Sequence, residues 1–199
     1  MNTTPSGVRP GRPITRDQEH MLETAMNAYW QDDRAAVSVN AVCALAGVSK
    51  PSLYRAFGSE DGLTAAVLDR YEQTALEALK ALLSGPQNYG SKLDALISVA
   101  SDDPQMEAGC LFVKMRDTRS RFGPKTQTKI AAVEAGVLES YARFFTDAAG
   151  HGEWRGGMAA ELAANYLHQQ LGLAVTQRAT GKSPTSVRAL FELALSVLR

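Results

Sequence analysis

The sequence predicts an all-α protein, and three observations carry that prediction. Apolar residues recur three and four positions apart through most of the 199 residues, while serine, proline and glycine fall where helices start and stop. No run alternates polar and apolar residues for long enough to make a sheet, and no internal repeat is present. The first stretch, MNTTPSGVRPGRPI, carries three prolines and two glycines and is expected to form an arm, not a helix. Thr15 and Gln18 have the spacing of a capping box. Behind them Met21, Leu22, Ala25, Met26 and Tyr29 share one face, so a first helix is expected from about Arg16 to Gln31.

After the polar break QDDR, the residues Val39, Val42, Cys43, Leu45 and Ala46 support only about two turns. Gly47 follows where a helix closes in the left-handed conformation. Ser49 is a good N-cap, Pro51 sits in a first turn where its missing N–H costs little, and Leu53 with Phe57 gives one apolar face. A third helix is expected from about Lys50 to Phe57. Ser59 then caps a fourth, with Glu60 and Asp61 opposing the positive end of the helix dipole. Its face, Leu63, Val67, Tyr71, Ala75, Leu79 and Leu82, keeps period to about Leu83. Further helices are expected at about Ser91 to Ser101, Gln105 to Arg121, Pro124 to Ala149, Met158 to Thr180 and Ser183 to Leu198, about nine in all.

Composition narrows the function. Basic and acidic residues both number 21, so the mean field draws the chain neither to nucleic acid nor to a membrane, and any charged partner must be met locally. No apolar run reaches the roughly 18 to 20 residues of a membrane span, and none near the N-terminus resembles a signal peptide. Two distant cysteines, Cys43 and Cys110, make neither a disulfide framework nor a four-thiolate site; reduced thiols in a cytoplasmic protein are expected. His20, His151 and His168 are too scattered for a metal site, and no cofactor is expected. No phosphate loop follows a strand and no nucleophile elbow occurs, so no catalysis is expected.

Local charge is more informative. From Arg34 to Gly58 there are three cations, Arg34, Lys50 and Arg55, and no acid; the arm adds Arg9, Arg12 and Arg16, again without an acid. Two short helices around Ala46-Gly47-Val48-Ser49 have the grammar of a helix-turn-helix: glycine reverses the chain, valine plugs the angle, serine caps the second helix. On that helix Lys50 and Tyr54 share a face, as do Pro51 and Arg55, while Leu53 and Phe57 point the other way. Such a rod suits a major groove, with Lys50 and Arg55 near base edges and Ser52 and Tyr54 near phosphates.

The run SVNAVCALAGVSKPSLYRAFGSEDGL, Ser38 to Leu63, with the upstream Gly11 to Pro13, resembles the TetR family of bacterial transcriptional repressors. The motif-level likeness covers about the first 65 residues. The resemblance implies a three-helix DNA-binding head over 1–62 and a helical ligand-binding and dimerisation body over 63–199. By it, Ser49, Lys50, Pro51, Ser52, Tyr54 and Arg55 fall at recognition-helix positions, with Ser38 and the arm's Arg12 as further DNA-contact candidates. Where many relatives carry a phosphate-touching lysine at the start of the fourth helix, this chain has Glu60. The implied partners are an operator duplex, a second copy of the chain and a small-molecule effector, with no membrane.

Effector candidates are Cys110, Phe112, Met115, Tyr141, Phe145 and His168, which offer apolar walls with few polar anchors. Cys43 reads as core. A redox or electrophile switch on the same scaffold, with Cys110 as the reacting thiol, is the alternative expectation. The basic run from Lys114 to Lys129 holds six cations against Asp117 alone, which suits either a solvated face or an acidic effector.

Overall fold

The computed structural model describes residues 16–31 and 37–199. The arm candidates Arg9, Arg12 and Thr15, and Arg34 in the first interhelix segment, lie outside them. Among the described residues every regular element is helical. The head is α1 (Arg16–Gln31), α2 (Val39–Ala46) and α3 (Lys50–Phe57), at the positions expected. Met21, Leu22, Ala25 and Tyr29 of α1 close on Val42 and Cys43 of α2 and on Leu53 of α3, so three amphipathic faces share one small core. Cys43 is buried there.

The fourth helix is a rod in three parts: α4 (Glu60–Tyr71), a π-helical turn (Glu72–Leu76) and α5 (Glu77–Ser84), end to end. Its extent matches the expectation, but the π turn has no signature in the apolar period. The rod's first half packs on α1 and on α8 (Pro124–Gly150), and so belongs to the head and the body together. The body is completed by α6 (Tyr89–Asp102), α7 (Leu111–Asp117), α9 (Ala160–Ala179) and α10 (Pro184–Leu195), the last running into a 3-10 turn at Ser196–Leu198. With α4 and α5 taken as one rod, the described helices number nine, as expected.

One expected helix is corrected. Instead of continuous helix from Gln105 to Arg121, the chain forms a 3-10 turn (Pro104–Glu107), a left-handed Gly109 at φ +76°, the short α7, and a second 3-10 turn (Arg119–Arg121). The physical cause is Gly109. A Cβ there would lie 3.0 Å from the Ala179 side chain, and the backbone occupies a region that L-residues rarely adopt. The apolar spacing Met106, Cys110 and Val113 imitates a helix across the break.

Candidate nucleic-acid interface and body cavity

Each end of the helix-turn-helix is built from local hydrogen bonds. The Ser38 side chain, exposed, accepts the Ala41 N–H at 3.2 Å and starts α2. Gly47, at φ +66°, takes the left-handed turn, and Val48 donates to the Cys43 carbonyl at 3.0 Å. Ser49 Oγ accepts the Ser52 N–H at 3.3 Å and lies 3.0 Å from Ser52 Oγ, so both hydroxyls are engaged in starting α3. Leu53 is fully buried and fixes the rotation of α3, which leaves Lys50, Pro51, Tyr54 and Arg55 facing outward. Gln18 Nε2 donates to the Ala56 carbonyl at 3.3 Å, tying the end of α3 back to α1.

Among the described residues neither Lys50 nor Arg55 forms an ion pair, so both cations are available to an outside anion. Glu60 is exposed in the first turn of α4, whereas its neighbour Asp61 turns inward. The Asp61 carboxylate accepts the backbone N–H groups of Lys125 (2.9 Å) and Thr126 (3.0 Å) and the Thr126 hydroxyl (2.8 Å). It thereby caps α8 from outside. Gly123 makes room for it: a Cβ there would fall 2.5 Å from the Asp61 carboxyl carbon. Burial alone would raise the Asp61 pKa, but the Thr126 and Lys125 hydrogen bonds and the Lys125 charge outweigh it and hold the group below its ordinary value.

Within the body a cavity of about 110 Å³ lies between the rod, α7, α8 and α9. Of the six residues the sequence nominated, Cys110, Phe112, Tyr141 and His168 line it. Met115 and Phe145, both fully buried, do not. Phe145 lies on another stretch of α8 and packs at 4.8 Å against Trp154 in a separate aromatic cluster with Tyr89 and Phe144. The sequence did not nominate the rod's contribution, Tyr71, Ala75 and Leu79, nor Gly172 and Val175 of α9. The four-residue spacing of 71, 75 and 79 was visible, but it does not say what the face meets.

Two polar arrangements border the cavity. Tyr71 donates its hydroxyl to Cys110 Sγ at 3.3 Å, and burial, reinforced by the thiol, pushes the Tyr71 pKa well up. On the other side Arg116 Nη1 lies 2.7 Å from His168 Nε2, with Glu134 Oε1 at 3.4 Å. A guanidinium can only donate, so Nε2 accepts and the ring proton sits on Nδ1. Burial first and the Arg116 charge second depress the His168 pKa, against the opposing pull of Glu134, which keeps the ring neutral at pH 7.

The basic run of the sequence is divided by the fold. Lys114 donates to the Trp30 carbonyl at 2.8 Å, Arg116 pairs with Asp117, and Lys129 bridges Asp69 and Glu72 on the rod, while Arg119 and Lys125 face solvent. Among the described residues no cluster of three metal-ligating side chains occurs, and no helix is long and apolar enough to cross a membrane.

A capped helix-turn-helix head, carried on a helical body that holds a small apolar cavity, defines a class of protein. Residues 21–67 match the family described as bacterial regulatory proteins, tetR family. The HTH-type transcriptional repressor BdcR of Escherichia coli (strain K12) is 34% identical over 101 residues, a stretch covering 51% of each protein, so the match spans about half of that relative. The fold is that of E. coli NemR in its reduced form, with TM-score 0.81 and 19% identity over 92% of this chain and 97% of that one. CifR, a TetR family transcriptional regulator solved as a cysteine mutant with a 26-bp operator duplex, gives TM-score 0.72 and 20% identity over 95% of this chain and all of that one. The head thus carries the sequence pattern of the tetR family of bacterial regulatory proteins, and the chain as a whole shares the fold of solved TetR-type regulators.

Proposed function

We propose that the protein is a homodimeric, cytoplasmic DNA-binding repressor whose grip on a palindromic operator is relaxed by a small molecule. Residues 1–62 serve DNA and residues 63–199 serve the effector and the second copy. One observation carries this reading: Leu53 anchors α3 in the core while Lys50, Tyr54 and Arg55 stand exposed beside it. Lys50 and Arg55 take base edges, Ser52 and Tyr54 take phosphates, and Ser38, Ser49, Pro51 and Arg12 lie along the same duplex. The operator-bound state of CifR supports the comparison.

The body supports the rest of the reading. One short helix reads only a few base pairs, so useful affinity needs two heads about one turn apart. Leu162 and Leu173 on α9 and Leu190 and Leu193 on α10 are large exposed apolar residues suited to a paired-helix interface. An effector in the cavity lined by Cys110, Phe112, Tyr141 and His168 releases DNA only if it binds the non-competent head spacing more tightly, by about 1.4 kcal/mol per tenfold loss of operator affinity. Fluorescence anisotropy with duplexes from the promoter region of the gene, across salt concentrations, tests the core claim. Absence of binding at low ionic strength, or binding with no salt slope, would refute it.

A second reading has its own observation: Cys110 Sγ borders the cavity and accepts from Tyr71, so oxidation or alkylation of the thiol would disturb the rod directly. Comparing oxidant-driven DNA release by wild type and Cys110→Ser decides it, since equal release removes the thiol from the mechanism.

A further inference from the structure

The cavity wall is carbon almost throughout, with Ala75, Leu79, Val137 and Val175 among its residues, yet two of its lining residues carry a hydrogen-bond donor that no protein group uses. Tyr141 is 1% exposed and His168 5%, and among the described residues neither the Tyr141 hydroxyl nor the His168 Nδ1–H meets an acceptor. Neither atom is among the sealed-off unpartnered atoms of the described residues, so each is reachable from the cavity and can take an acceptor supplied there. Tyr71 O–H, a further donor on the wall, is spent on the Cys110 thiol, a weak acceptor. The one ring nitrogen that could accept, His168 Nε2, is already taken by Arg116.

We infer that the cavity recognises an uncharged molecule about the size of one six-membered ring, bearing a single acceptor oxygen of the carbonyl kind placed between Tyr141 Oη and His168 Nδ1. This rests on the effector-responsive reading above and names the chemistry of its ligand. Size follows from the 110 Å³ volume, comparable to cavities that hold a single aromatic ring. The acceptor follows from the donors, and the Arg116–His168 hydrogen bond makes Nδ1–H the stronger of them by polarising the ring. Lack of charge follows from the surroundings: Arg116 is paired with Asp117, and Glu134 lies 3.4 Å from His168, so the charges behind the ring sum to net negative and would repel a carboxylate.

The test uses the full chain without DNA, titrated calorimetrically and by thermal unfolding with cyclohexanone, cyclohexane and cyclohexanecarboxylate. Cyclohexanone is expected to bind about tenfold more tightly than cyclohexane, the worth of one net hydrogen bond, and the carboxylate not to stabilise. In Tyr141→Phe and His168→Phe the ketone preference is expected to shrink while cyclohexane binding persists, which separates lost recognition from lost folding. Equal affinity for ketone and hydrocarbon, a preference for the carboxylate, unchanged selectivity in both variants, or binding of none of the three would each overturn the inference. Operator binding measured on the same samples is independent of these outcomes, so failure here leaves the repressor reading standing, and its own failure shows separately.

Discussion

The indole Nε1 of Trp30, the last aromatic of α1, donates a 2.7 Å hydrogen bond to the carbonyl of Gly109, 79 residues further along. The contact is reciprocal, because Lys114 Nζ donates to the Trp30 carbonyl at 2.8 Å. Trp30 also stands edge-on to Tyr71, at 5.2 Å between centroids, and Tyr71 holds Cys110. The head is therefore fastened to the segment that forms one wall of the cavity. A ligand that displaces Cys110 or Tyr71 acts on the end of α1 through one layer of side chains.

Trp30→Phe keeps an aromatic ring but deletes the indole N–H donor and shortens the side chain. Loss of one part-buried hydrogen bond should lower stability by about 1 kcal/mol, read as a reduced urea midpoint at unchanged slope. Ligand affinity measured without DNA should be unchanged, while the ligand's effect on operator affinity should fall. Undiminished ligand-driven release in this variant would show that the signal takes another route.

Asp61 makes the second fastening. Its carboxyl is held below its ordinary value, so it stabilises the fold at pH above the unfolded value of about 3.9 and loses that contribution as pH falls through the folded value. Asp61→Asn should cost about 0.5 to 1 kcal/mol at pH 7, the low end for a cap because the group is partly solvated. The gap between wild type and variant should begin to narrow below about pH 4 and close only below the lowered folded value. Denaturation midpoints at pH 7 and pH 3.5 check this, and a gap independent of pH would assign the loss to packing.

These two contacts mark where the sequence stopped being legible. Helix positions in the head followed from caps and turn residues, because Ser49, Pro51 and Gly47 act within four residues of themselves. Trp30 to Gly109 and Asp61 to Thr126 join residues 79 and 65 apart, and no local pattern encodes them. The same limit explains the cavity. Phe112 and Met115 lie on one short helix and both are buried, but only the packing of the rod decides that Phe112 meets open space and Met115 does not. Gly109 was a local signal, outvoted by apolar spacing on either side of it.

Replacing Arg55 or Lys50 by Ala should cost about 1 to 3 kcal/mol of operator binding if each makes a bidentate base contact, and should relax preference at one base position. Neither side chain is tied to the fold, so stability should change little. Anisotropy against operator duplexes altered one base pair at a time is the measurement. Uniform loss on all sequences, with a shallower salt slope, would reassign the residue to phosphate.

The exposed leucines give the prediction on which DNA affinity depends most. Leu173 and Leu193 are 52% and 70% exposed, whereas Val187 and Leu195 on the same helical pair are fully buried within the chain. The first two are free to serve another copy; the second two hold α10 in its own body. Leu173→Glu with Leu193→Glu should leave the helical signal and ligand binding intact while light scattering reports a monomer. Operator affinity should then fall by a factor of about 100 or more, because two tethered heads become one. A doubly substituted protein that remains dimeric would place the interface on a different face. A monomer that keeps full operator affinity would mean that a single head suffices.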